Sequence, residues 1–505
     1  MSAKSAGGTL VNSLRRGFYA DSVALMRIAR ALGAAPGVLQ ASLMIGSDSN
    51  KALLADSGLL APASRAARAD DLVIALRART PAQAKAALKT AAQLLAGDRQ
   101  AADTAGTQGV PGLGVALETL PQANLALISV PGEFAAREAR RALERGLHVM
   151  IFSDNVPVAE EVALKRFAVS RGLLAMGPDC GTALIGGVPL AFANAVPRGA
   201  VGLISASGTG LQEVSCLLAR AGHGVSHGIG VGGRDLSLEV DGLMTFAAFD
   251  ALERDPATKR IILISKPPAA AVAAKVIVRA ARCAKPVVLC LLGAPAAKLP
   301  RGVRMARTLE EAALGAAAIS RTPKTATPRS GWIRGLFSGG TLAAEAQVVL
   351  MDAGVAVRSN APVPGATACA AARGAAHTLI DLGDDEYTRG RPHPMIDPEL
   401  RMAELRRVLR AKDSAAVLLD VVIGYGAHAD PAGGIAAVLR EAGKNAPPVI
   451  ASVTGTDADP QHYARQVETL RAAGVTVAAS NAAAARRAAQ CVRAPRVAAK
   501  RSARR

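Results

Sequence analysis

The stretch from Ala200 to Val214 constrains the fold more than any other part of the chain. Val201 to Ile204 is a short apolar run of the kind a parallel sheet buries on both faces, and from Leu211 the spacing turns helical, with Gln212 and Glu213 on its outer side. Between strand and helix lies a turn without a bulky side chain. The backbone N–H groups of Ser207, Gly208, Thr209 and Gly210 would stand at a helix N-terminus, where unpaired donors and the helix dipole favour an anion. Hydroxyls of Ser205, Ser207 and Thr209 add donors. A phosphate-sized anion suits this turn, and the same residues also make an ordinary helix cap.

The same strand and helix grammar recurs. Residues 1–105 read as a small α+β unit, in the order strand, helix, strand, strand, helix, with Thr80 capping the last helix and Pro81 at its first position. Gly106 to Pro121 reads as a linker opening a unit that runs to 198, with strands at Leu125 to Val130, His148 to Phe152 and Leu173 to Met176. Two of its strand ends are tight and polar: Pro131-Gly132, and Gly177-Pro178-Asp179-Cys180. Pro131, Gly132, Asp179 and Cys180 are therefore candidates for substrate contact, since open α/β sheets take ligands beyond the carboxyl ends of their strands. A third unit spans 199–320 and a fourth 330–490, the latter with a second small turn at Ser338-Gly339-Gly340-Thr341. Residues 491–505 form a basic tail. The alternation predicts α/β architecture, with several doubly wound parallel-sheet domains after a small α+β N-terminal unit.

Composition narrows the function classes. Hydrophobic residues make up 50% and aromatics only 3%, so the cores are aliphatic and there is no stacking platform for nucleic acid, despite a formal charge of +20. Part of that charge lies in the tail, and the remainder spreads over helix faces. No apolar run reaches the roughly 18 residues of a membrane span, so the expectation is a cytoplasmic protein without membrane contact. Six scattered cysteines lack metal-ligand spacing, and no metal site is expected.

A second anion turn is expected after the strand Ala415 to Ile423, at Gly424, Tyr425 and Gly426, with His428 beyond them. Were it to face the 205–210 turn, two helix N-termini would converge on one anion. His428 would then serve as an acid or anion ligand, or simply as a cap. His393, held between Pro392 and Pro394, is a further candidate for substrate contact or for a structural loop position.

From Asn124 to about Leu292 the chain resembles the α subunit of succinyl-CoA synthetase and its acyl-CoA synthetase relatives. The likeness rests on Ser129-Val130-Pro131-Gly132-Glu133-Phe134, Met176-Gly177-Pro178-Asp179-Cys180, Gly202 to Thr209, Gly228 to Gly233 and Asp255 to Ile264. Residues 378–480 resemble the C-terminal domain of that enzyme's β subunit through Val417 to Gly426. With Asp21 to Met26 and Arg391 to Pro398, the whole chain looks like the FdrA family. The resemblance implies a Rossmann-like CoA-binding-type domain followed by two flavodoxin-like domains.

The departures bear on chemistry. In the synthetase, a loop after the fourth strand of the second domain carries a phosphorylated histidine supported by a glutamate. Here the equivalent loop, Gly293 to Met305, has no His, and the strand end reads Ser265-Lys266-Pro267-Pro268. A phosphate cradle without that His suggests phosphate or a phosphate ester as the ligand itself, with Lys266 supplying a positive charge or remaining an ordinary surface lysine. FdrA-like proteins are associated with oxamate carbamoyltransferase, which exchanges oxalurate and phosphate with oxamate and carbamoyl phosphate. The resemblance thus implies phosphate or carbamoyl phosphate as substrate and companion subunits in a hetero-oligomer. From their positions, Lys266 and His428 are the residues expected to carry catalysis, by positioning and electrostatic stabilisation. An ADP-forming acyl-CoA ligase subunit with CoA as substrate is the alternative, and a non-catalytic scaffold the second.

Overall fold

The computed structural model describes residues 8–18, 20, 22–104, 110, 112–295, 299–315, 328–372, 374–388, 392–443 and 446–492. The expected tail beyond Val492, most of the 321–329 linker, and Arg389 and Arg391 lie outside them. The chain divides into two compact units, Met1–Asp179 with Asp385–Asp397, and Cys180–Asp384 with Pro398–Arg505. No helix among the described residues is long and apolar enough to cross a membrane.

In the first unit, the strand Leu72–Ala78 is central in an antiparallel sheet, with Thr9–Arg15 on one side and Val38–Ile45 on the other. Alternation decides its two faces. Leu72 and Ile74 pack with Leu25, Ile28 and Leu32 of the helix Ser22–Gly33 and with Ala91 and Leu95 of the helix Pro81–Thr104. Val73 and Ala75 face Leu54 and Leu59 on the opposite side. A second, parallel sheet orders Leu125–Ile128, His148–Ile151 and Ala175–Met176 side by side, with the helices Gly132–Glu144 and Val158–Ser170 as crossovers. Both early strands thus belong to the sheet of the N-terminal domain, and the Rossmann-like half begins only at Leu125. Within the expected linker, residues Leu113–Thr119 form a short helix.

The second unit holds two seven-stranded sheets. One orders Val303–Met305, Val287–Leu291, Arg260–Ser265, Arg198–Ser205 and Val225–Gly230 in parallel, then adds the antiparallel hairpin Thr182–Ile185 and Val188–Ala191. The hairpin pairs with Val225–Gly230, so this unit begins at Cys180 rather than near 199. The other sheet is parallel throughout, ordered Thr367–Ala368, Val357–Ser359, His377–Asp381, Trp332–Phe337, Ser414–Val422, Val449–Thr454 and Thr476–Ala478. Ser414–Val422 is buried along its whole length, as a largely apolar strand flanked by strands on both sides should be, with Asp420 as its one buried charge. These are α/β sheets with helices on both faces, as the alternation predicts.

Candidate functional site

Two helix starts meet in the second unit. Ser207, in extended conformation, caps the helix Gly208–Arg220 by accepting from the Gly210 amide at 3.0 Å. Its hydroxyl also shares a 2.5 Å hydrogen bond with Thr341 Oγ1, on the first turn of the helix Gly340–Asp352. The Ser205 hydroxyl is spent inside the turn: it donates to the Ser207 carbonyl at 2.6 Å and accepts from the Ser207 amide at 3.1 Å. Absence of side chains permits the approach. A methyl on Gly210 would lie 2.9 Å from Ile264 Cγ2, and one on Gly339 would lie 3.0 Å from Thr209 Cγ2.

The second turn is held from beneath by a buried ion pair. Asp420 accepts from the Ser338 amide at 2.9 Å and the Gly339 amide at 2.8 Å, while Arg401 donates to its Oδ1 at 2.8 Å. Arg401 also reaches Ser338 Oγ at 3.2 Å and the Leu336 carbonyl at 3.0 Å. Both partners are buried. Burial lowers the pKa of Arg401, and Asp420 opposes that shift. With Ser338 and Gly339 occupied, the amides left to a ligand at the second helix are those of its first turn, Gly340 and Thr341, as those of Gly208 and Thr209 are at the first.

Two charged side chains converge on Gly340. Lys266, exposed at the end of the strand Arg260–Ser265, places Nζ 2.7 Å from where a Gly340 methyl would sit. Asp381, at the end of His377–Asp381, occupies the same space with Oδ2. Burial pushes the Asp381 carboxyl up to about 6, against the Lys266 charge and a hydrogen bond from the Gly383 amide to Oδ1 at 2.9 Å. The result is a small polar cradle made of two helix starts, paired hydroxyls, an ammonium and a carboxyl group.

The structure puts the other candidates elsewhere. The 424–431 turn does not form the partner of 205–210; residues 338–341 do. Gly424, at φ +125, is fitted against the Ala193 carbonyl and Asn194, Tyr425 donates its amide to Ala193 O at 2.9 Å, and Gly426 faces the Phe192 ring. His428 Nδ1 accepts from the Asp430 amide at 3.0 Å, and it is Asp430 that caps the helix Pro431–Ala442, accepting from the Gly433 amide. Cys180 is buried with its Sγ 3.4 Å from the Gly230 carbonyl, a packed thiol in place of a ligand-facing one.

Pro131, Gly132, Asp179 and His393 belong to the first unit. Pro131 caps the helix Gly132–Glu144, and Gly132 lies so close to the Asp154 carbonyl and Asn155 that a methyl would clash. The Asp179 amide donates to Ser153 O at 3.0 Å. His393 Nδ1 accepts from the Met395 amide at 3.2 Å, and burial lowers its pKa to about 4. A neutral ring whose Nδ1 is already an acceptor makes His393 a structural residue, not a general acid near neutral pH.

Sequence reasoning missed Asp381, Arg401 and Asp420, and noted Ser338 to Thr341 without giving it a role. A signal for Asp381 existed: like Ser205 and Ser265, it is the polar residue ending an apolar strand.

Comparisons with known proteins fit this geometry. A family model described as CoA-ligase matches residues 336–491, which hold the second helix start, Asp381, Arg401 and Asp420. Another, described as AllF, heavy metal-associated domain, matches residues 9–111. Over 489 residues, 92% of this chain and 95% of the other, the chain is 42% identical to the uncharacterized protein YahF of Escherichia coli (strain K12). The chain belongs to the YahF family.

It is also 28% identical over 170 residues to the succinate–CoA ligase [ADP-forming] α subunit of Aquifex aeolicus, covering 32% of this chain and 53% of that one. A similar match, 28% over 151 residues, joins it to the ADP-forming sulfoacetate-CoA ligase subunit SauD of Bilophila wadsworthia, covering 28% of this chain and 50% of the other. The chain thus spans about half the length of these ligase subunits. Together the matches place the YahF-family chain in the acyl-CoA synthetase superfamily. The relatives named here are ligase subunits, and carbamoyl transfer draws no support from them. A heavy-metal ion does not fit the N-terminal domain: residues 9–111 contain no Cys and no His. No group of three or more metal-ligating side chains is present among the described residues.

Proposed function

We propose that the chain is a subunit of an acyl-CoA ligase-type enzyme that holds the phosphoryl group of an acyl phosphate between the Gly208–Arg220 and Gly340–Asp352 helix starts. One observation carries the reading: the two starts are joined through Ser207 and Thr341, with Lys266 brought to Gly340. Amides of Gly208, Thr209, Gly340 and Thr341 would receive the phosphoryl oxygens, and Lys266 would balance their charge. These donors are fixed before any ligand arrives, so they stabilise charge building on a departing phosphate without rearrangement. In the ligase direction the CoA thiol attacks the acyl carbon, the carbon–oxygen bond to phosphate breaks, and acyl-CoA and inorganic phosphate result.

The 293–305 loop has no His, so the phosphoryl group is not carried there by this chain, and a companion subunit would supply the acyl phosphate. That same absence favours a second reading. Carbamoyl phosphate is itself an acyl phosphate, and an FdrA-type carbamoyltransferase would need the cradle but no phosphohistidine.

Calorimetric titration with phosphate, acetyl phosphate, carbamoyl phosphate and CoA tests both. Phosphate and the acyl phosphates are expected to bind, with affinity about tenfold or more weaker in Lys266→Met, the usual worth of a hydrogen bond to a charged group. CoA binding beside acetyl phosphate selects the ligase, and carbamoyl phosphate binding with CoA silent selects the transferase. Undiminished phosphate binding in Lys266→Met, or none in the wild type, would sink the cradle.

A further inference from the structure

Asp381 sets a problem for any anion in this cradle, because a carboxyl group already occupies the second helix start. Its Oδ1 accepts from the Gly383 amide at 2.9 Å, while its main chain is clamped by Asn360, which accepts from the Asp381 amide and donates to its carbonyl, both at 2.9 Å. Oδ2 turns toward Gly340 and accepts no hydrogen bond among the described residues. The residue is only 4% exposed. The charged groups acting on it are Lys266 from the end of the strand Arg260–Ser265, Asp384 from the following loop and Asp420 from Ser414–Val422, one strand beyond Trp332–Phe337. Asp420 is itself tied to Arg401, which leaves Lys266 as the cation that favours the ionised form of Asp381 against its burial.

A phosphoryl dianion at Gly340 and Thr341 would compete for Lys266 and place like charge against Oδ2. Two such groups cannot both stay ionised at close range in a buried setting, whereas a protonated carboxyl donates an O–H to a phosphoryl oxygen. We infer that Asp381 is a binding residue of the cradle that takes up one proton as a phosphoryl dianion docks, turning from the partner of Lys266 into a hydrogen-bond donor to the ligand. This rests on the anion cradle proposed above and adds what that reading lacks, a proton bound together with the ligand. It also gives the substrate class an acid–base signature: dianionic phosphoryl groups are favoured at lower pH, and the proton departs with the anion.

The sign follows from linkage. Above about pH 6 free Asp381 is ionised, so binding must bring the proton and affinity falls tenfold per pH unit; below that the profile levels off. Sulfate is the probe, since it stays a dianion across the range and any proton taken up comes to the protein. Calorimetry of the full chain with sulfate at pH 7, in two buffers of different ionisation enthalpy, is expected to show close to one proton bound per anion. In Asp381→Asn uptake should vanish and affinity become flat with pH, and in Lys266→Met the uptake should persist with weaker binding. A carboxyl carbon resonance of Asp381 that shifts to the protonated position on adding sulfate gives the same answer without substitution. Sulfate or phosphate binding without proton uptake, or uptake that survives in Asp381→Asn, overturns the role of Asp381 alone. Failure of both anions to bind the wild type overturns the cradle and this role with it.

Discussion

Arg401→Met is expected to destabilise the second unit by about 3–5 kcal/mol, the usual loss when one member of a buried ion pair is removed. Asp420 is fully buried and Arg401 is 4% exposed, so the carboxylate left behind has no water to turn to. It would keep the Ser338 and Gly339 amides and lose its countercharge. The methionine fills much of the same volume, which limits any cavity contribution. Trp332, the one tryptophan, begins the strand Trp332–Phe337 and reports on this sheet. Its fluorescence should show earlier melting, and the Ser338 and Gly339 amides should exchange faster with deuterium. Arg401→Lys, keeping the charge and losing the fork, should fall between. Unchanged melting and unchanged protection at those amides would show that the pair does not support the turn.

Glu345 gives the second large effect, and it depends on pH. The side chain is fully buried on the helix Gly340–Asp352, accepts from the Leu309 amide and the Asn481 side chain, and shares the interior with Glu213 and Glu310. Burial first, and the Glu213 charge second, push its carboxyl up to about 8 from 4.5. The folded state therefore holds a proton that the unfolded chain releases above pH 4.5, so stability falls as pH rises from there to about 8. A shift of that size corresponds to a loss on the order of 5 kcal/mol over the window. The Glu213 carboxyl is raised in the same direction, again mainly by burial.

Glu345→Gln should remove this dependence, melting near the wild type at pH 5 and well above it at pH 8. A neutral amide keeps an acceptor oxygen for the Asn481 side chain or the Leu309 amide without the cost of a buried charge. A variant that melts below the wild type at pH 8 would show that Glu345 is ionised in the fold and stabilises it.

Much of this architecture is legible along the chain. The runs Leu72 to Leu76 and Val201 to Ile204, the helix after Leu211, and the small turns at 205–210 and 338–341 depend on neighbours a few residues apart, and the structure realises them. The exception is Gln212 and Glu213, expected on the outer side of that helix, which are buried because helices and strands pack on both sides of it. The lack of a histidine in 293–305 is equally a property of the sequence, whatever the fold does. What no local pattern carries is which turn meets which. The turns at 338–341 and 424–431 follow buried strands in the same way, and only the sheet order places Trp332–Phe337 between His377–Asp381 and Ser414–Val422. That order brings Asp381 to one side of the second helix start and Asp420 beneath it, through strand pairs 40 or more residues apart in sequence. Lys266 reaches the same point from the other sheet. Short-range periodicity fixes strands and helices because their geometry repeats every two or 3.6 residues. The charged groups of the cradle meet across long loops, so burial, proton affinity and partnership are decided only when the sheets pack.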